Sequence, residues 1–134
     1  MNVKEVKKDN VVLARLVKQE NWNAGLGFYS QDNEFIQVGT WNYNKGKQLM
    51  PHIHNEVNRE IERTNEVLYV IEGCVKASIY DLQKELIEEL IVNKGDTLIL
   101  LNGGHGYEII SDNTKVLEVK NGPYLGADID RKRF

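Results

Sequence analysis

The sequence predicts an all-β protein, a sandwich or barrel of short strands folded as one domain. Two observations carry that prediction. Short apolar runs rich in β-branched residues recur along the chain at intervals of roughly 8–12 residues. Most of these runs end at glycine, asparagine or aspartate, with 11 glycines against only 2 prolines in the whole chain. The length of 134 residues suits a single domain, residues 1–134, able to bury a core without disulfides. Hydrophobic residues make up 41% and charged residues 28%, as in ordinary globular proteins.

The elements follow in order. Residues 11–17, Val-Val-Leu-Ala-Arg-Leu-Val, and residues 35–41, Phe-Ile-Gln-Val-Gly-Thr-Trp, are β-branched segments that read as strands. The polar stretch between them, with Trp22, Phe28 and Tyr29, reads as a loop with aromatic anchors. Residues 66–71 are a strong strand candidate that stops at Glu72-Gly73, and Val75 to Tyr80 is its partner across that turn. Beyond Glu66 the first of these strands is apolar on both faces, which predicts cover from another layer, a second subunit among the options. Residues 97–101 form a further apolar run between Gly95-Asp96 and Asn102-Gly103-Gly104, and residues 115–120 a last strand ended by Asn121-Gly122-Pro123. Residues 85–92 fit an amphipathic helix as well as a strand. The regular strand spacing around them decides for strand.

Net charge is −3 and both signs are interspersed, so no basic stripe suited to a phosphate backbone is present and nucleic acid is not an expected partner. The single cysteine, Cys74, excludes an intrachain disulfide and reads as a buried, inert thiol. No apolar run is long enough to span a bilayer, and the lysine-rich start carries no signal-peptide pattern, so a cytoplasmic protein without a membrane partner is the expectation.

The chain has three histidines. His52 and His54 are separated by one residue, and side chains two apart on a strand share a face, so both imidazoles can meet one point. His105 follows the Gly103-Gly104 turn. Imidazoles with a carboxylate are a common ligand set for first-row transition metals.

The segment Gly46 to Gly73 resembles the first motif of the cupin family. Five residues separate Gly46 from His52, His54 follows, and six residues separate Glu66 from Gly73. The segment Gly95 to His105 resembles the second motif. The resemblance spans residues from about 35 to 120, the core barrel, with the N-terminal strands and the C-terminal tail packed around it. It implies a double-stranded β-helix (jelly-roll) barrel, commonly a homodimer, in which His52, His54, Glu66 and His105 hold a divalent iron, manganese, nickel or zinc ion with two coordination positions open. Three departures stand out. Eleven residues separate His54 from Glu66, far more than in the family pattern, which makes Asn55 to Asn65 an extended loop at the pocket mouth and Glu60 a rival for the carboxylate position. Leu101 stands where the family has proline, in a shorter turn, and Ile109 where it has asparagine.

Around that centre, Tyr107 shares the face of His105 and is a candidate proton donor or substrate-orienting group. Glu118 and Lys120 alternate with Leu117 and Val119, so a charged inward face or a solvated one are both open; Glu118 is the second catalytic candidate. Arg59 and Arg63 could recognise an anion or be solvated loop residues. Trp41 and Tyr43 could line the pocket or pack in a core or dimer interface. The resemblance implies a metal-dependent enzyme acting on a small polar molecule, with dioxygenase-like or sugar isomerase/epimerase-like chemistry. A non-catalytic binding or sensing module is the alternative, and an assembly subunit a third.

Overall fold

The structure, a computed structural model, describes residues 3–134. The protein is all-β: the described residues form three antiparallel sheets that do not close into a barrel. The strands are β1 (Val3–Lys8), β2 (Val11–Val17), β3 (Gly25–Phe28), β4 (Gly39–Asn42), β5 (Glu66–Glu72), β6 (Cys74–Tyr80), β7 (Leu86–Asn93), β8 (Thr97–Leu100), β9 (Gly104–Ile109) and β10 (Lys115–Lys120). A five-stranded sheet has the order β1-β2-β8-β5-β10, a three-stranded sheet the order β7-β6-β9, and β3 and β4 form a separate hairpin.

The two larger sheets face each other across the main core. Leu68 and Val70 of β5, Leu98 and Leu100 of β8, and Leu16 of β2 meet Val75, Ala77 and Ile79 of β6 and Leu90 and Val92 of β7. A one-residue bulge in β2 serves this packing. The register pairs Val6 with Ala14 but Lys7 with Val12, leaving Leu13 unopposed. Leu13 and Ala14 can then both enter the main core, while Arg15 and Val17 turn to the opposite face.

That opposite face is also buried. Val17, Ile99 and Leu101 pack with Tyr29, and Trp22, Ile36, Val38 and Val67 close around them. The cover anticipated for a strand apolar on both faces therefore comes from the chain's own 22–38 segment. Its anchors are partly as read: Tyr29 is 1% exposed and hydrogen-bonds Thr40 (3.0 Å), whereas Phe28 is exposed.

Several element boundaries differ from those the sequence predicts. The strand expected over 85–92 is present, shifted by one residue to 86–93, and its pairing with β6 over Cys74–Tyr80 satisfies backbone groups that a helix would satisfy internally. The strand expected over 35–41 is confined to Gly39–Asn42, since Ile36 and Val38 serve as cover for the second core. Val3–Lys8, too polar to read as a strand, is an edge strand whose outward side chains meet solvent. Cys74 is half-buried rather than buried. No helix of the described residues is long and apolar enough to cross a membrane.

The sandwich is closed along one side and open along the other. β1 and β7 approach each other, with a Lys4–Glu88 ion pair at 2.6 Å. β9 and β10 are the free edges on the opposite side. The turn at Gly73, which passes the chain from one sheet to the other, depends on glycine. Its φ is +87°, and a Cβ there would fall 2.8 Å from the backbone Cα of Thr114. Gly73→Ala is expected to cost about 1–3 kcal/mol in chemical denaturation, through positive φ and the backbone clash together. A cost below a few tenths would mean that the turn rearranges freely.

Candidate functional site

Cross-strand register fixes which side chains face the open side of the sandwich. On β9, His105 stands opposite Ile79, Tyr107 opposite Ala77 and Ile109 opposite Val75. Directly paired residues share a face, and Ile79, Ala77 and Val75 all lie in the main core. His105, Tyr107 and Ile109 therefore lie on the core-facing side of β9, His105 half-buried and Tyr107 and Ile109 exposed where this edge is open. On β10, Val116 pairs with Val70, Glu118 with Leu68 and Lys120 with Glu66. Val116 packs on the main core, so Glu118 and Lys120 also face inward, and Glu66 shares the face of Leu68 and Val70. Glu118 and Lys120 thus combine the two placements left open by the sequence, on the core-facing side of β10 yet exposed to solvent at the open edge.

Five polar side chains thus converge from three strands where the two sheets part. His105 Nε2 lies 2.9 Å from Glu66 Oε2, and Lys120 Nζ lies 2.9 Å from Glu118 Oε1. The His105 and Tyr107 rings are 5.3 Å apart between centroids. Burial alone would raise the pKa of Glu66. The hydrogen bond and charge of His105, with help from Lys120 and Glu118, outweigh it and hold the carboxyl below the usual range. Tyr107 is pushed the other way, first by burial and then by the negative charges of Glu66 and Glu118, so its hydroxyl stays protonated well beyond the ordinary tyrosine range. A carboxylate kept ionised beside a phenol kept neutral separates acceptor from donor within one site.

The base of the site is tied down by asparagines that no sequence motif singles out. Asn121 accepts from the Asn65 backbone N–H (2.8 Å) and donates to the Arg63 carbonyl (3.2 Å). Asn65, 2% exposed, donates to the Leu101 carbonyl at 2.9 Å. These bonds set where β5 begins and so where Glu66 stands. Thr64 also hydrogen-bonds Asp130 in the short C-terminal helix α1 (Ala127–Asp130). The only sequence signal for this bracket is a run of asparagines at strand ends, the positions where side-chain amides replace missing ladder partners.

His52 and His54 are placed differently from the strand expected of them. They lie in a long stretch between β4 and β5, from Tyr43 to Asn65, with no strand or helix, and both are exposed. Their rings are close to each other, 5.0 Å between centroids, and His52 Nδ1 is 3.1 Å from the Met50 carbonyl oxygen. Three imidazoles and a carboxylate are donors that suit a divalent transition metal. The structure joins two of the four, Glu66 and His105, and separately pairs the other two. Among the described residues, no three His, Cys, Asp or Glu side chains converge as a metal-holding group. Glu60 and Arg59 are exposed in the same stretch, Trp41 is 64% exposed, and Tyr43 lies under Lys47 at 5.5 Å.

Comparison with protein-family models, with curated proteins and with solved structures gives no match in any of the three. The functional reading of this chain therefore rests on its motifs and on the geometry just described.

Proposed function

We propose that this protein is a metal-dependent cupin that acts on a small polar molecule at the open side of its β-sandwich. The observation that carries the reading is the Glu66–His105 pair at 2.9 Å, set between the two sheets with Tyr107, Glu118 and Lys120 around it. The jelly-roll topology belongs to the same proposal. It is supported by a chain that changes sheet from β5 to β6, β7 to β8, β8 to β9 and β9 to β10.

A divalent iron, manganese, nickel or zinc ion held by His52, His54, Glu66 and His105 would supply Lewis-acid or dioxygen chemistry, of isomerase/epimerase or dioxygenase type. The chain's own residues have separable tasks. Tyr107 offers a neutral O–H that can donate to a substrate oxygen. Glu118, countered by Lys120, can accept a hydrogen bond from a hydroxyl and orient it. Exposed Ile109, Leu117 and Val119 on two free strand edges support a homodimer as the working assembly.

A second reading is favoured by one specific observation, the direct hydrogen bond between His105 and Glu66 with the other two histidines apart from them. In that reading the same cluster is a metal-free pocket that binds a small ligand without turning it over. Elemental analysis after growth in metal-supplemented medium separates the two. About one equivalent of a transition metal per chain, lost in both His52→Ala/His54→Ala and His105→Ala, is the expected result. Outer-sphere changes alone typically cost about 10–100-fold in metal affinity, so loss of a direct ligand should exceed that. A protein that holds no metal as purified and takes up none on reconstitution overturns the first reading in favour of the second.

A further inference from the structure

We infer that a cavity on the far face of the five-stranded sheet binds a small polyhydroxylated anion whose carboxylate or phosphate group sits on Arg63. The cavity has a volume of about 410 Å³ and is bounded by the β1–β2 hairpin, the 31–34 loop, Arg63 and Asn65 before β5, and residues 101–102. That size lies within the range of about 300–1,000 Å³ usual for small-molecule sites. It is separate from the Glu66–His105 cluster. Asn65 lines this cavity while its neighbour Glu66 faces the interior, because successive residues of extended chain point to opposite faces.

Arg63 is pre-set for an oxyanion. Its Nε–H donates to the Leu101 carbonyl at 3.0 Å, and its guanidinium stacks over the Phe35 ring at 4.9 Å. Both contacts fix the plane of the group. Its terminal N–H groups meet no hydrogen-bond acceptor among the described residues. A guanidinium held in this way presents two parallel donors matched to a carboxylate or phosphate.

The rest of the lining suits hydroxyl groups. Asn10, Gln31, Asn33, Asn65 and Asn102 come from different segments and bring side-chain amides, each able to donate and to accept. The amide N–H groups of Asn65 and Asn102 are engaged with the Leu101 and Val12 carbonyls, at 2.9 and 2.8 Å. Their carbonyl oxygens receive no donor among the described residues and remain available to ligand hydroxyls. The floor is Arg15, 1% exposed and neutralised by Glu5 (2.7 Å) and Glu34 (2.5 Å). Lys7 also lines the cavity, its ammonium 3.3 Å from the second Glu5 oxygen. Three cations against two carboxylates leave the lining one positive charge, which favours an anion over a neutral sugar.

Titration of the full chain with glucuronate, glucose 6-phosphate and glucose, followed by the side-chain amide signals of Asn and Gln in 15N NMR, tests this assignment. The expected result is saturable binding of at least one of the two anions, tenfold or more tighter than glucose. Glucuronate binding more tightly marks a carboxylate ligand, and glucose 6-phosphate binding more tightly marks a phosphate. Arg63→Gln should weaken the anion at least tenfold, and Lys7→Gln severalfold with a smaller salt dependence. Absence of saturable binding by either anion, equal binding of glucose, or an Arg63→Gln protein that binds as the wild type does would overturn the assignment. Should Arg63→Gln fail to fold by circular dichroism, Lys7→Gln decides, an unchanged anion affinity counting against the site.

Discussion

Arg15→Ala is expected to destabilise the protein by about 3–5 kcal/mol, the range for removing one partner of a buried ion pair. Arg15 is 1% exposed and makes four hydrogen bonds: Nε–H to Glu5, one terminal nitrogen to Glu34 and to the Tyr29 carbonyl, the other to Glu34 again. Its removal leaves two carboxylates facing an emptied space and a carbonyl without a donor. A single domain has only about 5–15 kcal/mol of stability, so this one change uses a large share of it. Urea denaturation of Arg15→Ala beside Arg15→Met/Glu5→Gln/Glu34→Gln checks the cause. The triple variant should recover much of the loss, because it removes the unpaired charges along with the pair. A cost under about 1 kcal/mol in the single variant would mean that water reaches the site readily.

The second large effect concerns Glu66 and pH. With its folded pKa held below the ordinary value, Glu66 contributes stability above the unfolded-state pKa, and that contribution is lost as pH falls through the lowered folded value. His105→Ala reverses the sign. Burial, the largest single influence on Glu66, then faces only Lys120 and Glu118, so the pKa should rise above the unfolded value. In the metal-free protein, the Glu66 titration midpoint followed by carboxyl NMR should therefore lie at higher pH in the variant than in the wild type. A midpoint displaced by one pH unit corresponds to about 1.4 kcal/mol. The acid-unfolding midpoint should move upward with it. An unmoved Glu66 titration would show that His105 does not govern it.

How far the sequence can be read depends on whether the signal is local. A continuous apolar run over 67–71 and the pattern of apolar and charged residues in 115–120, with turn residues at their ends, are enough to place β5 and β10. The segment 85–92 is ambiguous by its own pattern because its spacing satisfies two periods; the spacing of the strands around it decides for strand, and its pairing with β6 bears this out. Polar Val3–Lys8 escapes a reading by pattern because an edge strand needs a neighbour more than an apolar face.

The same division holds in the candidate sites. Motif spacing singles out Glu66 and His105, and Tyr107 follows from strand alternation. Spacing also proposes a strand for His52 and His54, whereas the structure gives their segment no ladder partner. Arg15 sits within an apolar run, a visible anomaly whose meaning lies in Glu5 and Glu34, residues 10 and 19 positions away.

The all-β class, most of the strands and the residues rich in site chemistry are therefore legible in the chain alone, because hydrophobic period, turn residues and side-chain type are properties of neighbouring positions. Which faces are covered, which edges stay open and which charged groups meet are settled only in three dimensions. Those depend on strand order and register, set by the packing of both cores at once, and a one-residue bulge such as that at Leu13 suffices to redirect Arg15 to the face where its partners stand.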